Sequence, residues 1–117
     1  MAEHNDLGRE GEDWAADFLE RERVFVVIAR NWRYRQKEID IIAYDGGTLV
    51  FVEVKTRSSD DVPPSDLISY NKIRFLETAA EAYIRKSNFN GDARFDLVVI
   101  RKAHPGFCAV HIPDAFR

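Results

Sequence analysis

Residues 38–57, EIDIIAYDGGTLVFVEVKTR, constrain the fold more than any other stretch of the chain. Two apolar runs flank Asp45, Gly46 and Gly47, and glycine tolerates the positive φ that tight hairpin turns require. Ile39, Ile41 and Ile42 occupy the first run, and Phe51, Val52 and Val54 the second. Apolar residues at adjacent positions point to opposite faces of a strand, so both faces of this hairpin need cover. It therefore belongs in the middle of a sheet with further layers against it.

The rest of the chain supplies those layers. In GREGEDWAADFLERE (8–22), Gly11, Trp14, Ala15, Phe18 and Leu19 recur at spacings of three and four, which predicts an amphipathic helix. VFVVIARNW (24–32) is rich in β-branched and aromatic residues and reads as a strand. The hairpin adds strands over about 38–45 and 48–56, and SSDDVPPSD (58–66) reads as a loop. A second helix is expected over about 68–86, with Ile73, Leu76, Ala80, Tyr83 and Ile84 as its apolar stripe and NFNGD (88–92) ending it. ARFDLVVIR (93–101) and FCAVHI (107–112) read as strands around the turn KAHPG. The predicted order is α-β-β-β-α-β-β, an α/β mixed sheet flanked by helices. The strand–helix–strand unit from 48 to 101 should form a right-handed parallel crossover. The 117 residues sustain one core, so a single domain is expected over 1–117, with its core at about 8–101.

Against this apolar ground stand Asp40, Glu53 and Lys55. Regular alternation puts Glu38 with Asp40 on one face, and Glu53 with Lys55 on one face. With Gly46–Gly47 as the loop, Asp40 lies across from Glu53 and Glu38 across from Lys55. With Asp45–Gly46 as the loop the neighbours shift, yet all four stay on one face; a three-residue loop with a bulge would break that parity. Carboxylates on adjacent strands repel, and Lys55 offsets only part of this. A divalent cation resolves the conflict, because Mg²⁺ takes one or two carboxylates and keeps several waters. The ion lowers the pKa of such a water, and Lys55 can orient it or stabilise charge on a phosphoryl oxygen. The competing reading of E-x-K is a solvated strand face.

Seventeen basic against 20 acidic residues give a net charge of −3, so no global signal of nucleic-acid binding exists. Locally, RNWRYRQK (30–37) interleaves Arg30, Arg33, Arg35 and Lys37 with Trp32 and Tyr34, a pattern suited to phosphates and unpaired bases or to a protected sheet edge. Cys108 is the only cysteine, which excludes an intrachain disulfide and a cysteine-cluster zinc site, and it is expected to be a small buried residue. His4, His104 and His111 lack metal-ligand spacing. No apolar run reaches the roughly 20 residues of a membrane span, and the polar N-terminus is unlike a secretory signal. A cytoplasmic location and no membrane partner are the expectations.

Asp40, Glu53 thirteen residues later and Lys55, following a helix that carries a glutamate, resemble the PD-(D/E)xK nuclease superfamily, closest to its Holliday-junction-resolvase-like branch. More narrowly, GREGEDWAADFL, ARNWR, EIDIIA, FVEVKTR and RFDLVVI in this order resemble the YraN-type family of small bacterial proteins, grouped with those nucleases by fold. The likeness spans about residues 8–101. It implies a restriction-endonuclease-like core in which Asp40 and Glu53 hold Mg²⁺ or Mn²⁺ and Lys55 is the catalytic lysine. Glu12 would match the additional acidic residue of resolvase-like members, as catalytic group and metal ligand, and its competing role is to stabilise the first turn of its helix. Lys72 resembles a basic position that approaches backbone phosphates, joining Arg30, Arg33 and Arg35 as nucleic-acid contacts, against an ordinary exposed lysine. Lys37 stands where the family commonly has glycine. The implied activity is Mg²⁺-dependent hydrolysis of DNA phosphodiesters, with branched or structured DNA as substrate and a homodimer as a compatible assembly. A non-catalytic nucleic-acid-binding module and a pure interaction protein are the competing readings.

Overall fold

The computed structural model describes residues 2–57 and 68–116, with side chains from residue 8 onward; the loop expected over 58–66 lies outside them. Helix α1 (Ala2–Glu22) is followed by strands β1 (Val26–Tyr34), β2 (Lys37–Asp45) and β3 (Thr48–Arg57). Helix α2 (Tyr70–Ser87) and strands β4 (Ala93–Lys102) and β5 (Phe107–Phe116) complete the expected order. The strands form one five-stranded sheet in the order β1-β2-β3-β4-β5. β3 and β4, joined through α2, pair parallel, and the other neighbours pair antiparallel.

The two helices cover opposite faces of the central strands, as the doubly apolar hairpin requires. Ala15 and Leu19 of α1 pack with Ile41, Val50, Val52, Val98 and Ile100. Leu76, Ala79 and Ala80 of α2 pack with Ile42, Leu49 and Phe51. Each such large side chain taken fully from water contributes about 1.5–3 kcal/mol. Gly11 lets α1 approach β3 closely: a Cβ there would collide with Thr56 Oγ1. That contact holds the first helix against the end of β3 that carries Glu53 and Lys55.

Several boundaries differ from the sequence reading for local reasons. β1 starts at Val26 rather than 24, because Val24 takes a left-handed turn (φ 59°) and the Phe25 N–H returns to the Leu19 carbonyl at 3.0 Å. This turn drives Phe25 into the core and leaves Val24 78% exposed. β5 continues to Phe116, beyond the expected 112; as an edge strand it accommodates Pro113, whose missing N–H costs no inner ladder bond. Cys108 is exposed, not buried, because it lies on the outward side of this edge strand.

A reversal of facing within β1 and β2 matters most for the site. Regular strands would put Ile39 and Ile41 on one face, yet Ile41 joins the α1 core and Ile39 the α2 core. The ladder passes from Arg30↔Ile41 to Trp32↔Ile39 without pairing Asn31 to Asp40, and Asn31 has φ 51°. Asparagine is among the few residues that enter this conformation readily. The strands therefore roll over at Asn31 and Asp40. Trp32 and Tyr34 consequently turn toward α2.

Candidate functional site

The hairpin register is the one set by a Gly46–Gly47 loop, running from Asp45↔Thr48 to Ile41↔Val52. Gly46 supplies the positive φ of 60°. Beyond Ile41 the backbone ladder gives way to a side chain: Asp40 Oδ2 accepts a hydrogen bond of 2.8 Å from the Val54 N–H. Glu53 follows Phe51 on the α2 face and is only 3% exposed. Its Oε2 lies 3.2 Å from Lys55 Nζ and 3.6 Å from Lys72 Nζ. Its Oε1 has no hydrogen-bond partner, the only such buried side-chain oxygen or nitrogen among the described residues.

Lys72 reaches this point because of how α2 begins. Ser69 caps the helix, its hydroxyl accepting from the Lys72 N–H at 3.1 Å. No acidic residue lies in the first turn of the helix itself. Lys72 thus belongs to the site rather than to open solvent.

Burial pushes the Asp40 carboxyl up to about 8, and the neighbouring charges of Glu53 and Glu12 add to the shift. The Val54 hydrogen bond and Lys72 oppose it. Asp40 thus feels both Glu53, from the α2 face, and Glu12, from α1. Glu12 is already engaged, since its Oε1 accepts a 2.9 Å bond from Asn31 Nδ2, tying α1 to the point where the strands roll over.

Asp40 and Glu53 are the carboxylates here that could hold a hard divalent cation. It would meet the unpartnered Glu53 Oε1 and the carboxyl of Asp40, and it would oppose the burial and repulsion that keep Asp40 protonated. Among the described residues no three acidic, histidine or cysteine side chains converge closely enough to hold an ion unaided.

The remaining predicted residues divide between the faces. Arg30 turns to α1 and pairs with Asp13 at 2.7 Å. Arg33 pairs with Glu38 at 3.4 Å, so Glu38 meets Arg33 and not Lys55 as regular alternation implied. The β1–β2 register sets Arg33 directly across from Glu38, and the rollover takes Glu38 off the face of Lys55. Arg35 lies over the Tyr34 ring at 5.1 Å.

Sequence reasoning missed a second charged cluster, near the hairpin tip. Asp96 is fully buried, with Arg94 Nε at 2.9 Å, His111 Nε2 at 2.8 Å and the Asp114 N–H at 2.9 Å. Burial alone would raise its pKa, but hydrogen bonds from His111, Arg94 and Asp114 outweigh it and hold the carboxyl below its usual range. Arg94 also reaches Asp45 at 2.9 Å, so the cluster ties β4, β5 and the hairpin together. The signal was present in RFDLVVI, where two charges interrupt an apolar strand just as they do in the hairpin.

Fold and cluster together define a mixed α/β protein with a buried glutamate shared by two lysines beside an aspartate of raised pKa. Residues 11–100 match the family described as uncharacterised protein family UPF0102. A UPF0102 protein of Flavobacterium johnsoniae is 47% identical over 99% of this chain and 98% of its own. One from Parabacteroides distasonis is 44% identical over 99% and 96%, and one from Chlorobium chlorochromatii 42% over 95% and 91%. The chain belongs to the UPF0102, or YraN-type, family. Among the described residues no helix is long and apolar enough to cross a membrane.

Proposed function

We propose that the protein is a divalent-cation-dependent phosphodiesterase of the PD-(D/E)xK type that acts on DNA. The observation that carries this is the Glu53 carboxylate: buried, with one oxygen unpartnered, and next to an Asp40 that burial and repulsion keep protonated. Such an arrangement costs stability, and shifted groups of this kind cluster at functional sites. Asp40 and Glu53 would hold Mg²⁺ or Mn²⁺, with Glu12 contributing charge from α1. A bound cation supplies positive charge to the phosphoryl oxygens and makes water more acidic.

The chain's own residues do the rest. Lys55, one-quarter exposed, keeps its ammonium beside Glu53 while presenting it to solvent, where it stabilises charge developing on a phosphoryl oxygen. Lys72 can hold an adjacent phosphate from the α2 side. In the reaction the water oxygen bonds to phosphorus as the bond to the leaving sugar oxygen breaks. The water surrenders a proton to solvent base, and the leaving oxygen acquires one. Branched or structured DNA remains the proposed substrate form.

The two lysines on Glu53 favour a second reading. They neutralise its charge without any metal, leaving a cationic face that binds nucleic acid and cuts nothing. Asp40→Ala separates the two. A nuclease cleaves labelled linear, single-stranded or branched DNA with Mn²⁺, and the variant loses cleavage while keeping or gaining affinity. Absence of both cation binding and cleavage across all these substrates would remove the catalytic reading.

A further inference from the structure

Tyr34 and Phe75 lie half-buried beside the carboxylate–lysine site, their ring centroids 6.2 Å apart. Trp32 stands beside Tyr34 on the same strand face, nearly parallel to it (13°) at 6.2 Å. The inner end of this row is core: Trp32 meets Tyr83 edge-on at 5.2 Å, and Tyr83 meets Phe51. Toward solvent the neighbours change from apolar side chains to cations. Lys72 Nζ lies 5.5 Å and Lys37 Nζ 5.6 Å from the Phe75 centroid, and Arg35 covers Tyr34. Because Lys72 also touches Glu53, the row of rings starts at the site itself.

Lysine stems cover apolar surface at the rims of cores, so the sign of the surrounding charge is what distinguishes this rim. That charge is one-signed. Residues 32–37 and 70–75 contain Arg33, Arg35, Lys37, Lys72 and Arg74 and no acidic residue, in a chain of net charge −3. Glu38, just beyond, is paired with Arg33. The cations lie over the Tyr34 and Phe75 faces on long side chains, which can swing onto phosphates as the bases of an unpaired strand take their place on the rings. A duplex hides its bases and would leave the rings without a role.

We propose that Tyr34 and Phe75, backed by Trp32 and flanked by Arg35, Lys37 and Lys72, form a stacking platform for unpaired DNA bases. The platform makes the substrate a strand that is single, or frayed, on the α2 side of the cleaved phosphate. This deepens the proposed phosphodiesterase function and, for that consequence, rests on it. The rollover at Asn31 and Asp40 builds platform and site in one step, since it turns Trp32 and Tyr34 toward α2 while placing Asp40 beside Val54.

The test is fluorescence anisotropy in EDTA, where cleavage plays no part, comparing a labelled oligo(dT) with a duplex of equal length. The intact protein should bind the single strand more tightly. Tyr34→Leu/Phe75→Leu keeps apolar volume but removes the rings, and it should weaken single-strand binding by about 10- to 100-fold. Tyr34→Phe should retain it. Circular dichroism and melting temperature establish that the leucine variant is folded, and if it is not, each leucine substitution is measured alone. Equal or tighter duplex binding, no binding to either DNA, or unchanged single-strand affinity in the folded leucine variants would overturn the platform. Ring-dependent binding without Mn²⁺-dependent cleavage would leave the platform standing and reject the phosphodiesterase. Cleavage that is lost in Asp40→Ala but indifferent to the rings would do the reverse.

Discussion

Asp40 Oδ2 accepts its hydrogen bond from the N–H of Val54, the residue between Glu53 and Lys55. One side chain thereby takes the place of a backbone ladder bond and brings an aspartate from β2 against the charged pair of β3. The same contact leaves Asp40 where burial and the Glu53 charge raise its pKa to about 8.

A pH dependence follows from that shift. Unfolded, the Asp40 carboxyl ionises near its ordinary 3.8; folded, it does so at about 8. Between those values the native state holds a proton that the unfolded chain has released, so stability falls as pH rises through this window and levels off above it. Urea unfolding in EDTA should show this slope, and Asp40→Asn should flatten it. Millimolar Mg²⁺ should raise the melting temperature most near the upper end of the window, and Glu53→Gln should blunt the effect. A metal-independent profile would count against Asp40 and Glu53 as ligands.

Asp96 contributes the opposite slope. Its folded pKa is lowered, so its contribution is present above the unfolded 3.8 and disappears as pH falls through the lower folded value. Arg94→Ala would remove one guanidinium and its two hydrogen bonds from a fully buried carboxylate, and breaking such a pair costs about 3–5 kcal/mol. Denaturant midpoints of this variant measured above and below the Asp96 transition should differ less than those of the parent protein.

Gly11→Ala should destabilise the protein despite improving helix propensity. The propensity gain is about 1 kcal/mol, whereas forcing a methyl into Thr56 costs about 1–3 kcal/mol. Adding Thr56→Ala removes the obstructing hydroxyl and should restore stability to near or above that of the parent. Chemical denaturation of the single and double variants checks this. Equal midpoints for Gly11→Ala and the parent would show that α1 simply shifts.

Val24→Asn should stabilise. Val24 is a β-branched residue at φ 59° and is 78% exposed, so little burial is lost on replacement. Relief of left-handed strain contributes about 1 kcal/mol, which corresponds to a rise in melting temperature of about 4 °C. Differential scanning calorimetry measures it directly.

The element order and the two-sided sheet were legible because they depend on local pattern. Doubly apolar strands in 38–57 demand cover on both faces, and the stripes of Leu19 and Leu76 supply it. The register was legible as one of two values set by Asp45, Gly46 and Gly47, with a bulged three-residue loop as a third arrangement, and the pairing of Asp45 with Thr48 chose among them. Asp40, Glu53 and Lys55 stood out as charges in an apolar run, a signal that needs no coordinates.

What alternation could not supply was the facing of residues beyond the rollover. A period of two assumes an unbroken strand, and the left-handed Asn31 breaks it, taking Glu38 off the face of Lys55 and turning Tyr34 toward Phe75. Lys72 is 19 residues from Glu53 in sequence and meets it only because α2 crosses back over β3. Cys108 and His111 differ in burial for a similar reason, one on the open side of the edge strand and the other folded onto Asp96. Local composition determines which segments pair and which faces are apolar, because those preferences act within a few residues. Which charges finally meet depends on distant segments brought together by the packing of whole elements, and that is decided only when both helices close on the sheet.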